Sequence, residues 1–214
     1  MKLYGYSRSS AVYRVRIALN LKGLERQNVV VDLRAPVRAQ HASEFRALNP
    51  QGLIPVLVDG AHALTQSLAI IEYLEETHPQ PALLPAAPVE RARVRALALA
   101  VACDIHPLNN LRVLEYLRGP LGQGEPAVNA WYAHWIAVGF AALELQAQRS
   151  SGDGRHLYGS AVTLADVCLV PQMANAHRFN VDVAPYPTLR AICAHLEALP
   201  AFAAAAPEAQ PDAS

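Results

Sequence analysis

The 214-residue sequence lacks the features that mark several large classes of protein. Its 18 basic and 18 acidic residues leave no net charge, which argues against nucleic acid or an anionic membrane as a partner. No apolar run approaches the length of a membrane-spanning helix, and we expect no signal peptide. Three widely separated cysteines, Cys103, Cys168 and Cys193, are too few for a disulfide framework or a zinc site. We therefore expect core thiols, no metal and a cytoplasmic location.

The sequence is rich in apolar residues, which make up 52% of the total and are enough for a substantial core. Its length of 214 residues allows one large domain or two small ones. The first 78 residues carry strand and helix signals in the order βαβ, short helix, ββ, helix, so the first two strands should be parallel. Asp59-Gly60 between two apolar runs predicts a hairpin, with Pro55 at a strand end. An amphipathic helix follows Ser67, with Glu72, Glu75 and Glu76 on its polar side.

The chain changes character after residue 78. Residues 79–88 are rich in proline and predict a linker, and residues 89–214 predict an all-helical domain. A long helix should cover 89–117, disturbed at Pro107, and a capping box of Thr163 and Asp166 should start a later helix. The tail from Ala201 should fray. For the helix over 126–148, the core candidates are Trp131, Trp135, Val138, Phe140 and Leu143.

The segment Ser7-Arg8-Ser9-Ser10 joins the first strand to the first helix, and we call it the joint. A helix that begins there directs backbone N–H groups and the positive end of its dipole at the space in front of it. Such a position favours a phosphate, a carboxylate or a thiolate. Alternatively, Ser9 or Ser10 is simply the N-cap of the helix. The joint alone does not decide between these interpretations.

Three blocks of sequence resemble the zeta class of the glutathione transferases. Residues 9–19 read SSAVYRVRIAL, residues 66–76 read QSLAIIEYLEE, and residues 164–172 read LADVCLVPQ, followed by NAHRF. The blocks occur in order over nearly the whole chain and together are highly specific. Two positions depart from the class: Ala11 replaces its cysteine and Tyr13 its tryptophan. In lacking this cysteine, the chain resembles the maleylpyruvate isomerase branch. The absence of the cysteine excludes a mechanism that needs a protein thiol at this position.

The resemblance implies an α/β plus all-α architecture, with an N-terminal thioredoxin-like domain, a C-terminal helical bundle and assembly as a homodimer. It also implies a cis–trans isomerase of maleylacetoacetate or maleylpyruvate in aromatic catabolism, with glutathione as cofactor. The thiolate of glutathione would add to the alkene so that the bond can rotate. The planar guanidinium groups of arginines suit the dianionic substrate. Arg8 with Arg112 favours a compact, doubly charged substrate, which slightly favours maleylpyruvate.

The site residues also follow from the resemblance. The implied catalytic residues are Ser9, Ser10 and Arg8, and the implied substrate ligands are Arg8, Arg112 and Arg178. The implied glutathione ligands are Ser9, Ser10, Gln40, Ile54, a cis Pro55, Gln66, Ser67, His106 and Asn110. Ser10 and Ser67 could equally be caps, Gln40 a solvated side chain, and His106 a mere neighbour of Pro107. His106 and Asn110 should share a helix face, while Arg14 and Arg16 should form structural ion pairs.

Two other functions remain open. A transferase or dehalogenase that acts on small α-halo acids could use the same thiolate and arginines, and it would consume glutathione. A non-catalytic binding protein would have lost the thiolate site, whereas Ser9, Pro55, Gln66 and Ser67 are all present.

Overall fold

The computed structural model describes residues 1–213, and their contacts form two compact units. The first unit comprises Met1–Ala82 together with the chain from Leu199 onward, and the second comprises Leu83–Ala198. The limits 1–78, 79–88 and 89–214 stay a prediction. The return of the C-terminal residues to the first unit is a feature that the sequence did not predict.

The first unit is built on a four-stranded sheet with the strand order β2-β1-β3-β4. β1 pairs with β2 in parallel, as the βαβ order predicts, and β3 runs antiparallel to both β1 and β4. The two units together confirm the predicted architecture, a sheet domain followed by helices. The strands are β1 (Lys2–Gly5), β2 (Gln27–Val30), β3 (Val56–Asp59) and β4 (His62–Thr65).

Alternating side chains divide the sheet into two faces. Tyr4 and Val56 pack with Phe45 on one face, and the rings of Tyr4 and Phe45 lie 6.3 Å apart. The opposite face brings β1 so close to the first helix that a Cβ on Gly5 would lie 2.5 Å from Cγ1 of Val12. A side chain at this position would displace Val12, so glycine allows α1 to pack directly against β1. The helices of the chain before Ala82 are α1 (Ser10–Leu21), α2 (Ser43–Leu48) and α3 (Ser67–Thr77).

One residue on the expected polar side of α3 is buried. Glu75 is only 9% exposed, and its Oε2 lies 2.8 Å from Nζ of Lys22, the C-cap residue of α1. The Lys22 side chain has no exposure and also donates to the carbonyls of His78 and Pro81. The prediction that Glu75 faces solvent is wrong because this ion pair balances its charge inside the unit.

The C-terminal segment, which we define as residues 199–212, is ordered against α1. Phe202 of the short helix α9 (Pro200–Ala203) is fully buried, and Nδ2 of Asn20 donates to the carbonyl of Ala201 at 2.8 Å. The prediction that the tail frays is wrong, because an aromatic anchor and side chains of α1 hold it.

The second unit is helical. Within the described residues 1–213, no helix is both long enough and apolar enough to cross a membrane. Its helices are α4 (Pro88–Leu99), α5 (Leu111–Arg118), α6 (Glu125–Ser150), α7 (Leu164–Arg178) and α8 (Pro187–Glu197).

The long helix predicted over 89–117 is interrupted. α4 passes into a π-helical turn over Ala100–Ile105 and a 3₁₀ turn over His106–Asn109, and α5 then begins with Asn110 as its N-cap. Pro107 lies in the break, because its ring and missing N–H oppose a continuous helix. His106 and Asn110 therefore do not share one α-helical face, and that prediction is wrong.

Further packing predictions divide between confirmed and wrong. The capping box of Thr163 and Asp166 is present at the start of α7. On α6, Phe140 and Leu143 are buried as expected, whereas Val138 is 53% exposed. The two α6 tryptophans are half-buried, and Cys168 and Cys193 are core thiols whereas Cys103 is exposed.

Candidate functional site

The register of the sheet brings three predicted site segments of the first unit to one end. β1 ends at Gly5 and leads into the joint, and Tyr4 pairs with Val56 at the start of the antiparallel strand β3. Ile54 and Pro55, which precede Val56, therefore lie beside the end of β1. Val56 also pairs with Thr65, the last residue of β4, which places the start of α3 at this same end. The joint, the Ile54–Pro55 turn and the Gln66–Ser67 pair thus lie at the same end of the sheet.

At the joint, Ser9 is the N-cap of α1. Its Oγ accepts from the backbone N–H of Val12 at 3.4 Å, a long contact that leaves the hydroxyl hydrogen available to another acceptor. Ser10 is the first helical residue and is buried, so it is not the cap. Arg8 is exposed, and Ser9 is partly exposed. The joint therefore places an exposed arginine and a partly exposed serine directly before the first turn of α1.

The other two segments have unusual backbones. The Ile54–Pro55 peptide bond is cis, as the resemblance implies. Gln66 has a φ of 68°, a left-handed conformation that is rare for glutamine, and its Nε2 donates to Oε1 of Gln51 at 3.0 Å. Ser67 follows as the first residue of α3, and its buried Oγ accepts from Nη1 of Arg14 at 3.4 Å. Non-glycine residues in this region of φ and ψ cluster at ligand sites.

Gln40 is buried rather than solvated. The side chain is 5% exposed, and its carboxamide oxygen Oε1 has no hydrogen-bond partner within the chain. A buried acceptor without a donor is costly, which fits a residue that binds a donor group of a ligand. Gly52, with a φ of 63°, lies against this residue, and an added Cβ would be 3.0 Å from the Gln40 carbonyl. These features of the first unit fit a peptide-like cofactor such as glutathione.

In the second unit, Arg178 is the last residue of α7 and is exposed. Its guanidinium carbon lies 5.0 Å from the ring centre of Phe179, and that ring stacks on Tyr132 at 3.8 Å. Burial raises the pKa of Tyr132 to about 12, and the nearby Arg178 opposes this rise. The aromatic pair therefore fixes the end of α7 from which Arg178 extends.

The structure places the other predicted residues of the second unit around the break before α5. His106 begins the 3₁₀ turn, and the Asn110 side chain accepts from the backbone N–H of Arg112 at 3.2 Å. Asn110 is thus occupied as an N-cap, and Arg112 is exposed. Among the described residues, no group of three His, Cys, Asp or Glu side chains could hold a metal ion.

Sequence reasoning missed the contacts that two residues, Arg16 and Asp212, make around the joint. Arg16, expected in an ion pair, instead donates to three backbone carbonyls, those of Tyr6, Ser7 and Ala205. Asp212 accepts from the backbone N–H of Ser7 at 2.7 Å. No sequence signal could have found Asp212, because the contact spans 205 residues.

Comparisons with known proteins identify the family. Residues 3–82 match the family model of the glutathione S-transferase N-terminal domain. A probable maleylacetoacetate isomerase of Vibrio cholerae serotype O1 is 56% identical, over 99% of this chain and 97% of that protein.

Two solved structures are also similar. The holo structure of maleyl pyruvate isomerase, a bacterial zeta-class glutathione S-transferase, has a TM-score of 0.97 and 51% identity over 100% of both chains. Maleylacetoacetate isomerase from Methylobacterium extorquens AM1, solved with bound malonate and glutathione, has a TM-score of 0.95 and 44% identity over 100% of both chains. The chain therefore belongs to the zeta class of the glutathione S-transferases.

Proposed function

We propose that the protein catalyses the glutathione-dependent cis–trans isomerisation of a maleyl keto acid, maleylpyruvate or maleylacetoacetate, in the catabolism of aromatic compounds. The protein is an enzyme, and glutathione is its cofactor. The observation that carries the proposal is the placement of the joint, the Ile54–Pro55 turn and the Gln66–Ser67 pair at one end of the sheet.

The first unit offers ligands for the cysteinyl and γ-glutamyl parts of glutathione and one further acceptor. The Ile54 backbone, fixed by Pro55, suits the cysteinyl peptide, and the buried oxygen of Gln40 suits a donor group of the cofactor. Gln66 and Ser67, at the N-terminus of α3, suit the carboxylate of the γ-glutamyl end, because a helix N-terminus favours an anion. In the helical unit we assign His106 and Asn110 to glutathione on the resemblance.

The joint is suited to hold a thiolate. A free thiol with a pKa near ~8.5 is mostly protonated at neutral pH, so the site must stabilise the charged form. The Ser9 hydroxyl and the N-terminus of α1 would do so, with Ser10 as a second donor. The chemistry that glutathione supplies when bound is that of a nucleophilic thiolate, which makes the alkene bond temporarily single.

The arginines are assigned to the substrate. Arg8 at the joint, and Arg112 and Arg178 in the helical unit, are exposed guanidinium groups that can pair with carboxylates in a bidentate manner. Such forks suit a compact dianion, and for this reason we favour maleylpyruvate over maleylacetoacetate.

We also propose a cytoplasmic homodimer. The family membership supports the dimer, and the cysteine usage supports the cytoplasm, since the sequence has only three widely spaced thiols. Light scattering on the purified protein would measure the oligomeric state, and a monomer would contradict the dimer.

An assay of both substrates, with and without added glutathione, tests the function. We expect turnover only with glutathione and an unchanged glutathione concentration at the end. Consumption of glutathione would instead indicate a transferase or dehalogenase. Glutathione binding without turnover of either substrate would refute the isomerase proposal.

A pair of serine variants tests the role of the joint. Ser9→Ala removes a hydrogen bond to a charged sulfur, and we expect kcat to fall roughly ten- to a hundredfold. Ser43→Ala changes an exposed serine at the start of α2 in the same unit, and it should leave kcat unchanged. Equal kcat values for the two variants would remove Ser9 from the mechanism.

A further inference from the structure

The C-terminal segment covers the part of α1 that follows the joint. The hydroxyl of Tyr13 donates to the carbonyl of Phe202 at 3.4 Å, and Nε of Arg16 donates to the carbonyl of Ala205 at 2.8 Å. Phe202 and Ala205 are both fully buried. Chain that lies 189 residues further along is thus part of the wall behind the joint.

The last residue of the C-terminal segment, Asp212, contacts Ser7, the first residue of the joint. Oδ2 of Asp212 accepts from the backbone N–H of Ser7 at 2.7 Å, and Oγ of Ser7 donates to the backbone carbonyl of Asp212 at 2.9 Å. The carbonyl of Ser7 accepts from Nη2 of Arg16 at 2.9 Å. Every polar group of Ser7 therefore has a partner, and the residue is 1% exposed.

Arg16 holds the same turn from the other side. Its guanidinium donates to the carbonyls of Tyr6 and Ser7 as well as to that of Ala205. The Tyr6 carbonyl also accepts from the backbone N–H of Ser9 at 3.1 Å, which closes the turn from Tyr6 to Ser9. Burial lowers the pKa of Arg16 to about 10, and the negative charge of Asp212 opposes this fall.

Arg8 and Ser9 directly follow Ser7, which Asp212 and Arg16 hold in place. Both are in the short stretch between Ser7 and α1, so the position of Ser7 decides where their side chains begin. Donors that are fixed before the ligand arrives stabilise a charge more than donors that must reorganise. A carboxylate that accepts an N–H makes a stronger hydrogen bond than a neutral oxygen does.

We propose that Asp212 is a positioning residue for the thiolate site, because its carboxylate holds Ser7 and thereby places Arg8 and the Ser9 hydroxyl. This inference rests on the proposed function, since it assumes that the joint binds the sulfur of glutathione. Asp212 would act only through Ser7, without touching the sulfur or the substrate.

The experiment compares Asp212→Ala and Asp212→Asn with Glu208→Ala in the full-length protein. Glu208 lies in the same segment and is exposed, and its negative charge acts on Arg16 as that of Asp212 does. It makes none of the hydrogen bonds that hold Ser7, so its variant removes a comparable charge without removing such a bond. The first measurement is the pH dependence of the ultraviolet absorbance of glutathione thiolate bound to each protein. Calorimetry gives the Kd of glutathione, and circular dichroism gives the Tm.

We expect Asp212→Ala to raise the apparent pKa of bound glutathione by about one unit and to lower kcat roughly tenfold. Asp212→Asn keeps a neutral acceptor for Ser7, so its effects should be intermediate, with kcat roughly threefold below wild type. Glu208→Ala should retain the wild-type pKa and kcat. This graded order supports a positioning role, because simple anchoring of the tail would change only the Tm.

Several results would overturn the inference. One is a folded Asp212→Ala protein with a lower Tm but the wild-type thiol pKa and Kd. If Asp212→Ala does not fold, Asp212→Asn decides, and wild-type values in that variant would overturn the inference by themselves. The proposed function fails separately, when wild-type protein binds glutathione as thiolate and yet isomerises neither substrate.

Discussion

Replacing Lys22 by methionine should destabilise the protein more than the loss of an exposed ion pair does. The Lys22 side chain is fully buried, and its Nζ contacts Oε2 of Glu75 at 2.8 Å and the carbonyls of His78 and Pro81 at 2.7 and 3.0 Å. Methionine has a similar length but donates no hydrogen bond. The substitution therefore leaves the buried Glu75 without this cation and two carbonyls without this donor.

The expected loss of stability follows from the burial of this ion pair. Breaking a buried ion pair by removing one partner costs about 3–5 kcal/mol, because the remaining charge has lost its water without compensation. For a chain of this size, each kcal/mol shifts the Tm by about 2–4 °C. We therefore expect the Tm of Lys22→Met to fall by roughly 6–20 °C.

Arg93→Met provides the matched control. Arg93 and Glu90 form an ion pair at 3.0 Å on α4, but their side chains are 63% and 37% exposed. Loss of an exposed pair costs about 0–1 kcal/mol. Urea unfolding followed by circular dichroism gives both free energies of unfolding. A Lys22→Met value within about 0.5 kcal/mol of the Arg93→Met value would refute the argument.

Three further predictions concern the core, the pH and the substrate. Phe202→Ala should cost about 3–5 kcal/mol in urea unfolding, against about 0.5 kcal/mol or less for the exposed Val138→Ala, and equal costs would mean that the tail is not anchored. Burial raises the pKa of Tyr132 to about 12 from an ordinary value of 10.0, so the folded state keeps a proton that the unfolded state loses, and stability falls as the pH rises through this window. Between pH 9 and 11, wild type should lose about 1.4 kcal/mol more than Tyr132→Phe, and parallel losses would contradict the shift. Arg178→Ala should raise the KM of the dianionic substrate about tenfold or more, whereas Arg149→Ala at the exposed end of α6 should not, and an unchanged KM would exclude Arg178 as a substrate ligand.

Local sequence patterns predicted the elements that depend on neighbouring residues. The Asp59-Gly60 hairpin, the parallel β1 and β2 and the capping box of Thr163 and Asp166 all follow from short-range chemistry, and each is confirmed. Val138 shows the limit of this reasoning, because helical spacing does not reveal which face of a long helix the neighbouring helices cover.

The sequence could not show which charged side chains are buried against partners distant in the chain. Glu75 and Arg16 have polar side chains in helices, and such residues are normally exposed. Each is buried because a partner distant in sequence meets it: Lys22 in one case, and the carbonyl of Ala205 in the other. The residues of the joint were visible as a motif, whereas the carboxylate behind it, Asp212, was not.

The path of the chain also determines when the first unit can be finished during synthesis. The contact between Ser7 and Asp212 joins residues 205 positions apart, and the whole helical unit is inserted between them. At about 5–20 residues per second, a ribosome needs roughly 10–40 s to make the intervening chain. The sheet and α1 are therefore made first but lack the C-terminal segment that covers α1. Every residue of the helical unit has been made before that segment. The domain that begins the chain is the last to be completed.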